Sequence, residues 1–177
     1  MTSKNWHPLV RGLHWLTVPV MAACVGAMWL HEAFDKADPV RAQLVQTHFL
    51  LGLVLGLLAI FRLTARAFTQ PPEHSMAPKH ASLIKLAHLG LYGVLLALPV
   101  LGYIAVSGRG TPIEMLGVLS LLPMSVAKDT AHLAKELHEG LANGLLGLLT
   151  IHVGMAVYHT VVLKDKVLAS MRGTADR

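Results

Sequence analysis

The chain of 177 residues holds one cysteine, Cys24, so it has neither a disulfide framework nor a cluster of thiolate ligands. Charge is scarce as well: only 14% of residues are charged while 54% are apolar, a balance unusual for a soluble protein of this size. Asp, Glu, Lys and Arg are missing altogether between Arg11 and Glu32, Arg41 and Arg62, Lys85 and Arg109, and Glu139 and Lys164. Each gap holds the ~20 apolar residues that a helix needs to cross a hydrocarbon core. Internal repeats and low-complexity segments are also lacking, which leaves one membrane domain over residues 1–177 as the expected organisation.

The fold class expected is therefore all-α: an integral membrane four-helix bundle with spans near 8–30, 40–68, 82–106 and 131–163. A further uncharged stretch, between Glu114 and Lys128, is too short to span and contains Pro123, so it is expected as a short interfacial helix in the last outer loop. The first span follows Lys4 and Arg11 as a signal peptide would. Its apolar run is longer than a signal core, however, and it is expected to be retained.

A net charge of +5 could point to nucleic acid, but in a membrane protein the placement of the charges matters more. Lys4, Arg11, Arg62, Arg66, Lys79, Lys85, Lys164, Lys166, Arg172 and Arg177 fall on one side. Lys36, Arg41, Arg109, Lys128 and Lys135 fall on the other, together with most of the acids. The positive-inside rule makes both termini cytoplasmic, and no nucleic-acid role is expected. Trp6 and Trp15 suit the headgroup level near the first span. Pro71, Pro72 and Pro78 stiffen the cytoplasmic loop between the second and third spans, and Pro99 should kink the third.

Histidine is the residue that this composition does not explain. On the last span His138, His152 and His159 are spaced by two heptads and then one, which at about 100° per residue places all three on one helix face. Ionisable side chains at bilayer depth are costly and imply compensating partners. Following the helix directions, His48 and His138 lie toward the outer face, whereas His14, His88 and His152 lie deeper, toward the inner face. His138 and His152 differ in depth by roughly 21 Å. Two depth-matched pairs result, His48 with His138 and His14 with His152. Each could hold a haem iron between two imidazoles, with Leu145 and Leu149 filling the helix face between the haems. Taken singly, each histidine also fits a plainer role. His48 with Gly52 and Gly56 suits close helix packing, His14 or His88 could be a backbone-bonded core residue, and His159 could lie at the membrane surface.

Bis-histidine ligation fills both axial positions and so favours electron transfer over oxygen activation. Zinc would require three or four ligands at one depth, and the absence of Cys-x-x-Cys-His excludes covalent c-type attachment.

The segments Arg11-Gly12-Leu13-His14-Trp15, Ala87-His88-Leu89-Gly90, Leu98-Pro99-Val100-Leu101-Gly102, Arg109-Gly110-Thr111-Pro112, His138-Glu139-x-Leu141-Ala142 and His152-x6-His159 resemble the bacterial cytochrome b561 family over essentially the whole chain, in order. The resemblance is nearest to the family's short diheme superoxide oxidases. It implies two haem b groups with the same ligands, His14, His48, His138 and His152, with Arg11 beside them, in a multi-pass protein of the bacterial inner membrane. It further implies a superoxide:ubiquinone oxidoreductase.

On that reading His88, His159 and Lys79, with Tyr92 near them, serve a quinone site at the cytoplasmic mouth. A histidine pair there can both bond a quinone carbonyl and deliver protons near neutral pH. Arg109 and Arg41, with Lys128 and Lys135, would steer superoxide to the outer haem, though neighbouring acids also allow ordinary solvated charges. The alternative is a b-type anchor that relays electrons between quinone and a hydrogenase or dehydrogenase partner. A histidine-lined metal carrier is a third possibility, distinguished by lacking haem absorbance. The short loops offer little docking surface, so the partners expected are lipid, ubiquinone and superoxide, with no protein partner or a second copy of the chain. His31, His74, His80 and His132 match no motif and are expected to be structural or solvated.

Overall fold

A computed structural model describes residues 5–72 and 81–175. Its frame is four long helices: α1 (Pro8–His31), α2 (Pro39–Ala67), α3 (Ala81–Ser107) and α4 (Lys128–Tyr158). All four are long and apolar enough to cross a membrane. Local chemistry sets several of their ends. Pro8 and Pro39 occupy first-turn positions, where a missing N–H costs nothing, and the His7 and Asp38 side chains accept from the N–H groups of Leu9 and Val40. After α2, Pro71 and Pro72 prevent the helix from continuing.

Packing is unequal around the bundle. α1 packs extensively on α2, and α3 on α4, whereas α2 and α3 join these two hairpins more thinly. The seam between the hairpins is thus the looser part of the interior. At the α2–α3 contact, Gly56 leaves room for the Pro99 ring, since a Cβ there would lie 3.0 Å from it. Large apolar residues such as Trp29, Phe61, Leu89 and Ile151 point outward, as a lipid-facing belt requires.

The loop between α3 and α4 departs from the interfacial helix expected there. In place of an interfacial helix it forms a small antiparallel hairpin, β1 (Ile113–Met115) and β2 (Leu119–Leu121), with Ile113 opposite Leu121 and Met115 opposite Leu119. Leu116 and Gly117 both have positive φ, and the Val118 N–H closes the turn on the Met115 carbonyl, which is the turn geometry that suits twisted strands. Alternation decides the outcome: Ile113 and Met115 are buried, while Glu114 between them is exposed and accepts from the Ser120 hydroxyl. The Leu116 N–H donates to Gln46 on α2 and ties the hairpin to the bundle.

At the opposite end the two termini meet. Beyond α4 the chain makes a π-helical turn (His159–Leu163), reverses at Lys164 with φ 52°, and forms α5 (Val167–Arg172). The Trp15 indole N–H donates to the Met171 carbonyl, the Trp6 N–H to Ser170, and the Ala175 N–H to the Asn5 side chain. Arg11 lies against Gly173, which has φ 82° and no space for a Cβ. The last helix and tail thereby clasp the start of α1.

Candidate functional site

His48 on α2 and His138 on α4 face each other with ring centroids 6.0 Å apart and planes at 79°. Deeper in the bundle, His14 on α1 and His152 on α4 stand 6.2 Å apart at 75°. Two metal–imidazole bonds of about 2 Å, with roughly 1 Å from each coordinating nitrogen to its ring centre, place two rings about 6 Å apart across a single ion. Both pairs have that spacing. An imidazole plane contains its bond to a metal and can turn about it, so crossed planes would be compatible with ligation.

Backbone acceptors determine which nitrogen each ring presents. His48 Nδ1 donates to the Cys24 carbonyl at 3.1 Å and His138 Nδ1 to the Leu98 carbonyl at 2.9 Å. A carbonyl only accepts, so the proton is on Nδ1 and the Nε2 lone pair is free for a metal. The segment from Leu98 to Gly102 thereby has a mechanical role. Leu98 supplies the acceptor, and a Cβ on Gly102 would come within 3.3 Å of the His138 ring. The Cys24 thiol lies 3.4 Å from His48 Nδ1, a contact that no spacing in the sequence indicated.

The inner level is more crowded. His88 on α3 lies 6.1 Å from the same His152 ring, as near as His14. The two candidates differ in position: His14 reaches His152 across the looser seam between hairpins, whereas α3 and α4 are packed closely on each other. A flat macrocycle would enter the looser seam more easily than the closely packed α3–α4 face. His88 Nδ1 is bonded to its own helix at the Ile84 carbonyl, 2.7 Å away. Leu145, between the two levels on α4, is buried. Among the described residues no group of three or more His, Cys, Asp or Glu is placed to hold one metal ion together, although His152 has two histidine neighbours.

His159 sits apart from these rings. Its Nδ1 donates to the Asp165 carboxylate and its ring contacts Tyr158; among the described residues it makes no ring contact with His88. Asp165 was not a sequence candidate, because a helical wheel does not bring it to His159; the π-turn and the reversal at Lys164 do. Lys79, His74 and His80 lie outside the described residues. His31 bonds the Met28 carbonyl and Glu32, and His132 pairs with Glu136, both in local roles.

The cations near the α1–α2 and α3–α4 loops do not converge equally. Arg41 donates to the carbonyls of His31 and Phe34 and pairs with Glu32 at 3.5 Å, closing the α1–α2 loop, and Lys135 pairs with Glu139. Arg109 is exposed at the end of α3 and Lys128 at the start of α4, neither with an ion pair among the described residues.

Orphaned buried donors mark the inner end. Arg11 Nε, Arg62 Nε and the Tyr92 hydroxyl are buried without a hydrogen-bond partner among the described residues. A carboxylate-bearing group placed between the inner histidines would supply acceptors there.

Facing histidine pairs on a four-span bundle agree with what comparison finds. A profile of the prokaryotic cytochrome b561 family matches residues 5–174. The chain belongs to the prokaryotic cytochrome b561 family. It is 30% identical over 164 residues to cytochrome b561 homolog 1 of Escherichia coli K12, covering 90% of this chain and 92% of that one. It is 25% identical over 178 residues to cytochrome b561 homolog 2 of the same organism, covering 97% and 93%. It is also 26% identical over 173 residues to the probable superoxide oxidase CybB of Yersinia pestis, covering 95% and 96%. As a cytochrome b561 the chain is a b-haem-binding electron-transfer protein, multi-pass in the bacterial inner membrane.

Proposed function

We propose that the chain is a diheme superoxide:ubiquinone oxidoreductase. In the net reaction two superoxide ions yield two oxygen molecules and two electrons on the outer side, and ubiquinone takes up those electrons with two cytoplasmic protons. The observation that carries the reading is the two histidine pairs, each about 6 Å between ring centres and set at two depths of one bundle. The name of the Yersinia pestis relative, a probable superoxide oxidase, supports the choice of donor.

His48 and His138 would hold the outer iron, with the Cys24 and Leu98 carbonyls fixing their tautomers so that Nε2 is left to bind. His14 and His152 would hold the inner iron, with Arg11 serving the same haem. When bound, the haems would supply one-electron transfer between the two faces. Arg109, the exposed cation at the outer end of α3, raises the local concentration of a small anion, while Arg41, paired with Glu32, contributes less to that steering. At the cytoplasmic mouth His88 and His159, with Lys79, bind the quinone carbonyls and deliver protons. Both termini are cytoplasmic, as the distribution of basic residues favours.

The test needs no partner protein. Oxidised purified protein mixed with a superoxide source and ubiquinone in detergent is expected to show rapid growth of the reduced b-type band, followed by its reoxidation by quinone. A silent haem band would remove superoxide as donor and leave the anchor reading, in which a partner protein supplies the electrons.

A further inference from the structure

We propose that Arg62 and Tyr92 form an anion seat at the inner level, holding a propionate carboxylate of the inner haem. The proposal rests on the assignment of His14 and His152 to that haem. Arg62 lies in the last third of α2, its guanidinium carbon 5.7 Å from the centre of the Tyr92 ring on α3. It is within electrostatic reach of His14, His88 and His152. Arg62 Nε and the Tyr92 hydroxyl are both buried without a partner among the described residues, and Tyr92 is only 7% exposed.

A guanidinium keeps its charge in a protein, and at bilayer depth it requires a counter-charge. The contact with the tyrosine face attracts the cation but does not neutralise it. No helix supplies the anion at this level. α1, α2 and α3 contain no Asp or Glu, and those of α4, Asp129, Glu136 and Glu139, lie in its first half, toward the other end. The chemistry that fits is a carboxylate on a bound group: it accepts from both N–H and O–H donors, and a b-type haem carries two on one edge. A lipid phosphate offers the same chemistry, but a deeply buried tyrosine hydroxyl is a poor partner for a headgroup.

The readout is the midpoint of the inner haem, followed by optical redox titration of the full-length protein and identified as the component lost in His152→Ala. A positive charge near the haem favours its reduced form. Arg62→Gln is therefore expected to move the reduction equilibrium of the inner haem about tenfold toward the oxidised form, which is about 59 mV for one electron. Arg62→Lys should shift it less, Tyr92→Phe in the same direction by a smaller step, and the outer haem should not move. An inner midpoint unchanged in both Arg62→Gln and Tyr92→Phe, with both haems bound, overturns the proposal. So does a shift seen in phosphatidylglycerol vesicles and absent in phosphatidylcholine vesicles, which would assign Arg62 to lipid phosphate. If Arg62→Gln fails to retain the inner haem, Arg62→Lys and Tyr92→Phe decide by the same criterion. A single haem in the wild type, counted as pyridine haemochromogen, would remove the two-haem reading itself and is thus distinguishable from failure of the seat.

Discussion

Single residues do specific work around the histidine rings. Gly102 is a glycine because the His138 ring occupies the space in front of it. Gly102→Val should push that ring from the Leu98 carbonyl, weakening the outer site while sparing the inner one. Haem content per chain should then fall toward one, and the remaining component should titrate as the inner haem does. At the end of the bundle where the termini meet, His159 and Asp165 are paired. His159→Ala is expected to keep both haems and slow quinone reduction by at least about tenfold, within the range of a lost proton donor; loss of a haem instead would show the ligand pairing to be wrong. Asp165→Asn separates two jobs. The amide oxygen can still accept from the Val167 N–H, as Asp165 Oδ1 does at 3.1 Å, but the charge facing His159 is gone. Stopped-flow kinetics should show slower quinone reduction with an unchanged melting temperature; a lower melting temperature with normal kinetics would make Asp165 only a cap. His48 and His138 could be paired from the sequence because helix direction fixes depth. The equal approach of His88 and His14 to His152 could not, since a helix wheel does not say which neighbouring faces meet.

Among the elements, the clasp between the two ends of the chain stands out as a mechanical unit. α5 and the tail hold the first turns of α1 through Trp15, Trp6 and Arg11, immediately beside His14. Gly173 is the hinge of this contact, with φ 82° and the Arg11 guanidinium where a Cβ would be. Gly173→Ala should destabilise the protein by about 1–2 kcal/mol from backbone conformation alone, and by more if Arg11 is displaced. Thermal unfolding followed by haem absorbance checks this, and the inner component should be lost first. The four helices were legible in the sequence because a span without charge between Arg41 and Arg62, for example, has few soluble alternatives. The β1–β2 hairpin was not: its strands are three residues each, too short for alternation to be separated from a general apolar run.

At the scale of the whole molecule, two helical hairpins meet along a thin seam, and both histidine pairs bridge it. On the proposed reading, two flat groups would sit where the fold's own packing is thinnest, at the two depths that α4 spans. The two depths were legible from the heptad spacing of His138 and His152. The clasp and the π-turn were not, because both depend on the path of the chain after it leaves the membrane. The central claim is that the outer iron belongs to His48 and His138 and the inner iron to His14 and His152, with His88 free for quinone. Haem content of purified His14→Ala and His88→Ala, counted as pyridine haemochromogen beside the wild type, tests it most directly. The account predicts two haems in the wild type, one in His14→Ala and two in His88→Ala; one haem in His88→Ala with two in His14→Ala would contradict it.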